Sequence, residues 1–124
     1  MILNLTPHPI EIFRRRDVFP DTGRGYLARH GARPAWEIPS SGIARAQSVE
    51  TPDGDADGIP CVRVQYGRPD GLPEPRFGTY LVVSKITADA AMASGRTVSD
   101  LLLTTGLVRN EDGRIIGCTA LARA

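Results

Sequence analysis

The sequence predicts a mostly β, α+β domain, with five to eight short strands in a small mixed or antiparallel sheet and one helix near residues 85–95. Residues Ile59–Gly67 alternate apolar and polar side chains and are rich in β-branched residues, which is typical of a strand. Residues Ile86–Ser94 form the one clearly helical segment. Asp112-Gly113 lies between two apolar runs, and this dipeptide favours a tight hairpin.

The first third of the chain contains a kink or turn and a longer irregular segment. Met1–Leu5 is a short apolar start and Ile10–Phe13 alternates, and they flank Thr6–Pro9, whose two prolines exclude a central strand at that point. Residues 14–34 contain three glycines, two prolines and six arginines without a period of 2 or 3.6. We therefore expect a long, partly mobile loop there, with the character of an insertion.

The middle of the chain predicts short strands joined by turns. Ala35–Ile38 and Ile43–Val49 are strand candidates, and Pro39–Gly42 between them has the composition of a turn. Pro52–Gly58 is predicted to be an acidic loop. Arg68–Gly78 contains three prolines, which indicates a stiff surface connection.

The last third predicts a central strand, a helix and a hairpin. Thr79–Ser84 is the most apolar strand candidate, and Ser84 or Thr87 can cap the helix that follows it. Gly95 suits the position just after the helix. Asp100–Thr105 is predicted to be a strand rather than a short helix. The arms of the final hairpin are Leu107–Arg109 and Arg114–Leu121.

Length and composition limit the classes of protein that the chain can belong to. A chain of 124 residues with 41% hydrophobic residues predicts a single domain. It has neither the apolar run of about 20 residues that a membrane span needs nor a signal-peptide pattern. We therefore expect a cytoplasmic protein with no membrane partner. The net charge of +1 makes nucleic acid an unfavourable partner, since phosphate binding needs clustered excess cations.

The small net charge conceals an uneven distribution along the chain. Residues 1–48 carry seven arginines against four carboxylates, a charge of +3, whereas residues 49–74 carry two arginines against six carboxylates, a charge of −4. Residues 75–124 carry six cations against four carboxylates, a charge of +2. The sequence therefore predicts separate basic and acidic patches.

Asn4, Thr6 and His8 form the first candidate binding site. In an extended backbone these alternate residues share one face, and the neighbouring prolines stiffen the segment. Three short polar side chains on one face suit directional hydrogen bonds to a ligand. The alternative is a capped strand end, in which the same groups bond to neighbouring carbonyls.

Arginines in the segment 14–34 form the second candidate site, with Arg14, Arg15 and Arg16 as the residues expected to neutralise phosphate. Phe19 and Tyr26 lie among the arginines and could stack on a base. The alternative is a solvated loop whose arginines reflect only a GC-rich genome, since 14 of the 15 basic residues are arginine.

Ser84 and Lys85 form the third candidate site, at the predicted start of the helix. A helix N-terminus offers unpaired N–H donors and a partial positive charge to an anion. The alternative is simple capping of the helix by Ser84.

Two further patterns predict weaker or structural roles. Asp53, Asp55 and Asp57 reproduce the first half of a calcium-binding loop, but the bidentate glutamate of its second half is missing, so weak Ca²⁺ binding is the most they predict. Cys61 and Cys118 lie among apolar neighbours without zinc-type spacing, which predicts buried core thiols. No cofactor is predicted.

Several segments resemble a group of small actinobacterial and phage-encoded proteins that open with an NLTPH-type segment. The segments that carry the resemblance are Asn4–His8, Pro39–Arg45, Gly71–Pro75, Gly78–Ser84 and Arg109–Gly117. The similarity covers most of the chain outside residues 14–34. The resemblance implies a small binding or counter-defence role in phage–host conflict, and it assigns no catalytic residue.

The residues together predict a small non-enzymatic protein that binds a nucleotide-like or other anionic small molecule, and a homo-oligomer is a further hypothesis. One alternative is a protein-interaction module that acts through an exposed strand edge. Another is a small enzyme acting on a nucleotide-derived substrate, although the sequence contains only two histidines and no spaced catalytic set.

Overall fold

A computed structural model describes residues 1–124 and confirms the mostly β, α+β class. The main sheet is mixed and has eight strands, and two further strands form a separate ribbon. The strands are β1 Ile2–Asn4, β2 Ile10–Ile12, β3 Val18–Pro20, β4 Tyr26–Ala28, β5 Trp36–Ile38, β6 Ser48–Ala56, β7 Ile59–Tyr66, β8 Tyr80–Val82, β9 Leu101–Arg109 and β10 Ile115–Arg123. The helices are the 3₁₀ turn Arg15–Asp17 and α1 Lys85–Ala93.

The main sheet has the strand order β1-β8-β9-β10-β2-β5, with β4 attached to β9 and β3 attached to β4. The pairs β1/β8, β8/β9, β10/β2 and β4/β9 are parallel, whereas β9/β10, β2/β5 and β3/β4 are antiparallel. Each parallel pair joins segments that are distant in the sequence. Only the antiparallel hairpins could be predicted from local turn signals.

The core lies on both faces of strands β8 and β9. Leu81 and Leu101 pack with Ala88 and Ala91 of helix α1 on one face, whereas Val82 packs on the other face with residues of β2, β9 and β10. A strand that is buried on both faces has a continuous apolar sequence instead of an alternating one. This explains the apolar run Leu81–Val83, and β8 lies inside the sheet, although it is second from the β1 edge and not central as predicted.

The β9–β10 hairpin confirms the prediction from Asp112-Gly113. Asn110 Oδ1 accepts hydrogen bonds from the backbone N–H groups of Asp112 and Arg114, both at 3.0 Å, and Gly113 adopts a φ of +80°. The predicted strands Asp100–Thr105 and Leu107–Arg109 are one continuous strand, β9. They join at Gly106, whose φ of +66° lets the strand bend without ending.

The prediction of an irregular loop over residues 14–34 is wrong for its central part. Residues Val18–Pro20 and Tyr26–Ala28 form the antiparallel pair β3/β4, and β4 also pairs with β9 of the main sheet. The strands are only three residues long, so no sequence period could be detected in them. Packing of Val18 and Tyr26 with the buried Phe13 and Val108 holds this hairpin on the body of the protein.

The prediction of an acidic loop over Pro52–Gly58 is also wrong. Strand β6 extends through most of this segment and pairs with β7 in a two-stranded ribbon, with a bulge between Pro52 and Asp55. Asp57 and Gly58 turn the chain with positive φ angles of 50° and 81°. The predicted strand at Ile59–Gly67 is confirmed, whereas the one predicted at Ile43–Val49 begins only at Ser48.

The helix α1 begins and ends close to the predicted residues. Ser84 is its N-cap and accepts a hydrogen bond from the Thr87 N–H at 3.2 Å. Gly95, with a φ of +88°, follows the last turn as expected. With nine residues, α1 is too short to cross a membrane, and no helix of the chain is long and apolar enough to do so.

Candidate functional site

Asn4 and Thr6 bond to each other and to the backbone of their own segment. Asn4 is fully buried, and its Nδ2 donates to the carbonyl oxygens of His8 at 2.8 Å and of Ile38 at 3.0 Å. Its Oδ1 accepts from the Thr6 N–H at 2.9 Å and from the Thr6 hydroxyl at 2.6 Å. The arrangement is therefore that of a capped strand end, and Asn4 has no exposed atom to offer a ligand.

His8 does not share a surface with Thr6. Its side chain is exposed and lines a cavity of about 370 Å³ together with Glu11, Thr104 and Cys118. Thr6 lines a different cavity. The hydrogen bonds of Asn4 bend the chain between these two residues, so the extended backbone that would place them on one face does not form.

The arginines Arg14, Arg15 and Arg16 are exposed and line none of the larger cavities. The Arg14 guanidinium lies over the ring of Trp36, 4.7 Å from its centre, and that of Arg15 lies 4.8 Å from the centre of Tyr26. Stacking on aromatic rings holds these cations in place while leaving their N–H edges exposed. They form a fixed cationic surface and not an enclosed site.

Phe19 and Tyr26 do not form a joint stacking surface for a base. Phe19 pairs with Leu27 across the β3/β4 hairpin, so it shares a face with Leu27 and lies on the opposite face from Tyr26. Each ring also has a guanidinium over one side, that of Arg29 over Phe19 at 5.7 Å and that of Arg15 over Tyr26.

Ser84 and Lys85 have different surroundings. The Ser84 hydroxyl donates to Thr87 Oγ1 at 2.9 Å, and Thr87 Oγ1 donates in turn to the Ala44 carbonyl at 3.3 Å. Lys85 Nζ forms an exposed ion pair with Asp89 at 2.9 Å and does not line the cavity that Ser84 lines. Of these two predicted residues, only Ser84 therefore lies at a concave surface.

Thr6 and Ser84 line the same cavity, of about 320 Å³, which we call the helix-start pocket. Arg45 and Tyr66 also line this pocket, and Ile43 is one of its apolar lining residues. The Arg45 guanidinium makes no hydrogen bond or ion pair with the rest of the protein, and Tyr66 is 50% exposed. The pocket thus combines a free cation, an accessible aromatic ring and the N-terminus of helix α1.

Sequence reasoning missed Arg45 and Tyr66 as site residues. The backbone of Arg45 is held by two hydrogen bonds with Asp70, of 3.0 Å and 2.7 Å, and Tyr66 ends strand β7 at the base of the ribbon. The Arg45–Asp70 hydrogen bonds and the pairing of Tyr66 with Ser48 join residues that are about 20 positions or more apart in the sequence, so no short motif contains both partners. A usable signal would have been the pairing of Ser48–Ala56 with Ile59–Tyr66, because Tyr66 ends the second segment and Arg45 lies three residues before the first.

The two cysteines differ in environment. Cys118 is 1% exposed, which confirms the predicted core thiol, whereas Cys61 lies in the ribbon and is only partly buried, so the prediction is wrong for Cys61. Burial raises the pKa of the Cys118 thiol, and hydrogen bonding with the backbone of Ala120 and Thr105 lowers it by less. Because its pKa is raised, this thiol is protonated at neutral pH and is therefore a poor nucleophile.

The raised pKa of Cys118 predicts a loss of stability at alkaline pH. Its contribution is fully present below the pKa of the thiol in the unfolded chain and disappears as the pH rises through the higher pKa of the folded state. We expect the difference in free energy of unfolding between the wild type and Cys118→Ala to shrink between about pH 8 and pH 10, by at most about 1.4 kcal/mol per pH unit. Urea unfolding of both proteins across that range measures the difference, and a constant difference would contradict the assignment.

Asp53, Asp55 and Asp57 do not gather around a common point. Asp53 lies on strand β6 and forms an exposed ion pair with Arg63 at 3.4 Å, and Asp57 lies in the turn beyond the bulge. No group of three or more histidine, cysteine or carboxylate side chains is placed to hold a metal ion. In strand β6 the backbone is extended by its pairing with β7, whereas a calcium-binding loop has to wrap around the ion.

No protein-family model, curated protein or solved structure matches this chain. The resemblance to proteins with an NLTPH-type opening therefore stays a prediction. Within that motif, the buried Asn4 explains structurally why an asparagine precedes Thr6-Pro7-His8, since it ties this segment to strand β5 through the Ile38 carbonyl.

Proposed function

We propose that the protein is a non-enzymatic binding protein that takes a nucleotide-like or other anionic small molecule in the helix-start pocket. The observation that carries the proposal is the meeting of Arg45, Tyr66, Thr6 and Ser84 in one cavity of about 320 Å³. This volume is within the range of about 300–1,000 Å³ that is typical of small-molecule sites.

Each group in the pocket has a distinct role in this proposal. The Arg45 guanidinium neutralises a phosphate or carboxylate with two parallel donors. The first N–H groups of helix α1 lack intrahelical partners and add donors on the Ser84 side. The ring of Tyr66 packs against a base or another flat group. The Thr6 hydroxyl already donates within its own segment, so it offers the ligand an acceptor.

The lining of the pocket supports binding without turnover. No histidine, carboxylate or thiol is among its eleven lining residues, so the pocket contains none of the side chains that usually act as a general base near neutral pH. A role in phage–host conflict belongs to the same proposal and rests on the resemblance of the NLTPH-type segment.

Arg45→Gln is expected to weaken ligand binding by about ten- to a hundredfold, because a charge-assisted hydrogen bond contributes about 1.5–3 kcal/mol. Thermal-shift measurements with nucleoside mono-, di- and triphosphates and cyclic nucleotides first identify the probe. A probe at 100 times its dissociation constant should stabilise the wild type by about 2.7 kcal/mol. Titration of that probe into each variant then gives the affinities.

Arg114→Gln is the matched control, because Arg114 is an exposed arginine outside the pocket and its loss changes the net charge equally. We expect this variant to bind like the wild type. Triple replacement of Arg14, Arg15 and Arg16 by alanine tests the other cationic surface. The proposal fails if no anion stabilises the protein, or if binding is lost in the triple variant and retained in Arg45→Gln.

A further inference from the structure

The ribbon of strands β6 and β7 projects from the body with almost all of its residues exposed. Every residue of the two strands is exposed except Cys61, which is partly buried. Strands of eight and nine residues extend roughly 27–30 Å. An isolated two-stranded hairpin has little stability of its own in water, so such an arm gains stability when another surface covers it.

One face of the ribbon carries a row of apolar side chains. Pro60, Val62, Val64 and Tyr66 occupy alternate positions of β7 and therefore share a face, and Val62, Val64 and Tyr66 are 50%, 43% and 50% exposed. The residues opposite them on β6 are Asp55, Pro52, Glu50 and Ser48, so carboxylates border the row. A mostly apolar row with an acidic border is typical of a docking face and not of a solvated one.

The face of the ribbon is better suited to docking than its β6 edge. Pro52 has no N–H to donate, the bulge between Pro52 and Asp55 interrupts the edge, and Glu50, Asp53 and Asp55 place charges along it. Natural sheets use these features to prevent the addition of further strands. The β6 edge is therefore protected against strand addition, which makes it a poorer docking surface than the apolar row.

The charge of the ribbon is opposite to that of a second surface on the same protein. Residues 48–66 carry four carboxylates and one arginine, a charge of −3, whereas residues 14–33 carry six arginines and two aspartates, a charge of +4. Trp36, which has the Arg14 guanidinium over its ring, is 51% exposed. Both surfaces thus present exposed apolar groups bordered by charges of opposite sign.

We infer that the ribbon is an association arm that docks on the arginine surface of a second copy of this chain. The arginine surface is defined by Arg14, Arg15, Arg16 and Trp36. Val62 and Val64 of one protomer cover the exposed Trp36 ring of its partner, while Glu50 and Asp55 face the partner's arginines. A two-fold axis makes the exchange of arms reciprocal, so both ribbons and both arginine surfaces are covered in a closed dimer.

The first test is the mass of the full chain in sedimentation velocity experiments over a range of concentrations. We expect a dimer at low salt. In 0.5 M NaCl we expect its dissociation constant to increase by about tenfold or more, because salt screens the charges that join the protomers. The double substitution Val62→Lys and Val64→Lys should give a monomer. Val49→Lys is the matched control, because Val49 is 61% exposed on the opposite face of the ribbon and pairs with Gln65.

The second test exchanges charges between the two surfaces. The double substitution Glu50→Lys and Asp55→Lys brings the ribbon to +1, and replacing Arg14, Arg15 and Arg16 by glutamate brings residues 14–33 to −2. Each variant alone should be monomeric because its two surfaces now carry like charges. An equimolar mixture should form a heterodimer, since both contacts then join opposite charges. Formation of that heterodimer also shows that both variants are folded.

Three results would overturn the inference. The first is a wild type that stays monomeric at every concentration. The second is that Val49→Lys is monomeric while the Val62/Val64 double variant remains a dimer. The third is that the two charge variants stay monomeric when they are mixed, although circular dichroism shows that both are folded. None of the substituted residues lines the helix-start pocket. Nucleotide titration of the same variants therefore reports on the proposed function separately.

Discussion

Asn4→Ala is expected to lower the free energy of unfolding by about 3 kcal/mol. The side chain is fully buried and makes four hydrogen bonds, with the carbonyls of His8 and Ile38 and with the N–H and hydroxyl of Thr6. Alanine leaves these partners unpaired, and a buried group without a partner costs about 1–3 kcal/mol. Chemical denaturation followed by circular dichroism measures the change.

Asn110→Ala is the matched control for this substitution. Asn110 Oδ1 also accepts two backbone hydrogen bonds, but it lies in the exposed turn of the β9–β10 hairpin, where water can replace it. We expect a loss of about 1 kcal/mol. Equal losses in both variants would show that the burial of Asn4 adds nothing to its hydrogen bonds.

Asn4→Asp separates the two halves of the side chain. It keeps an acceptor for Thr6 and places a carboxylate oxygen against the carbonyls of His8 and Ile38. We expect it to be destabilised at neutral pH and to recover part of the loss at acid pH, where a protonated carboxyl can donate. A stability that does not change with pH relative to the wild type would contradict the donor role of Nδ2.

Gly25→Ala is expected to lower the free energy of unfolding by about 3 kcal/mol through two additive causes. Gly25 has a φ of +83°, and a left-handed conformation costs a residue with a Cβ about 1–2 kcal/mol. A Cβ on Gly25 would also lie 2.5 Å from the backbone oxygen of Leu107, so strand β4 would have to move away from β9. Thermal and chemical denaturation measure the loss.

Gly23→Ala provides the control within the same turn. Gly23 has a φ of +73°, but a Cβ there meets no atom within 4 Å. We expect this variant to lose only about 1–2 kcal/mol, from the backbone strain alone. If the two variants lose the same amount, the close approach of Gly25 to Leu107 does not constrain the hairpin.

Local signals account for the parts of the fold that were predicted from sequence. Ser84 caps the helix, Gly95 follows it and Asn110–Gly113 turns the last hairpin, because each of these structures is completed within a few residues. The apolar composition of Thr79–Ser84 likewise predicted an interior strand, since burial on both faces leaves a direct mark on the sequence.

Short or composition-biased strands were missed for a different reason. The strands Val18–Pro20 and Tyr26–Ala28 form because Val18 and Tyr26 find Phe13 and Val108 in the core, not because three residues prefer an extended backbone. In the ribbon, cross-strand pairing with β7 holds Asp53 and Asp55 in a strand despite a composition that favours a loop.

Candidate site residues were predicted as separate local groups, and the structure sorts them differently. Thr6 and Ser84 meet in one pocket, whereas Asn4 is buried and His8 lines another cavity. Arg14 and Arg15 stack on aromatic residues and, like Arg16, lie outside both cavities. Arg45, which precedes the ribbon, and Tyr66, which ends strand β7, complete the pocket.

The sequence by itself determined the mostly β, α+β class, the capped helix at Ser84, the Asn110–Gly113 hairpin and the division of charge into basic and acidic segments. These properties depend on neighbours in the chain or on composition. Only the tertiary structure decided that the acidic segment is a projecting ribbon and that Thr6, Arg45, Tyr66 and Ser84 share a pocket. For the pocket, the reason is that parallel strand pairing and the isolated bridge between Arg45 and Asp70 join residues far apart in sequence, and no local preference encodes such contacts. For the ribbon, the reason is that the composition of Pro52–Gly58 favours a loop, and only the pairing with β7 makes it a strand.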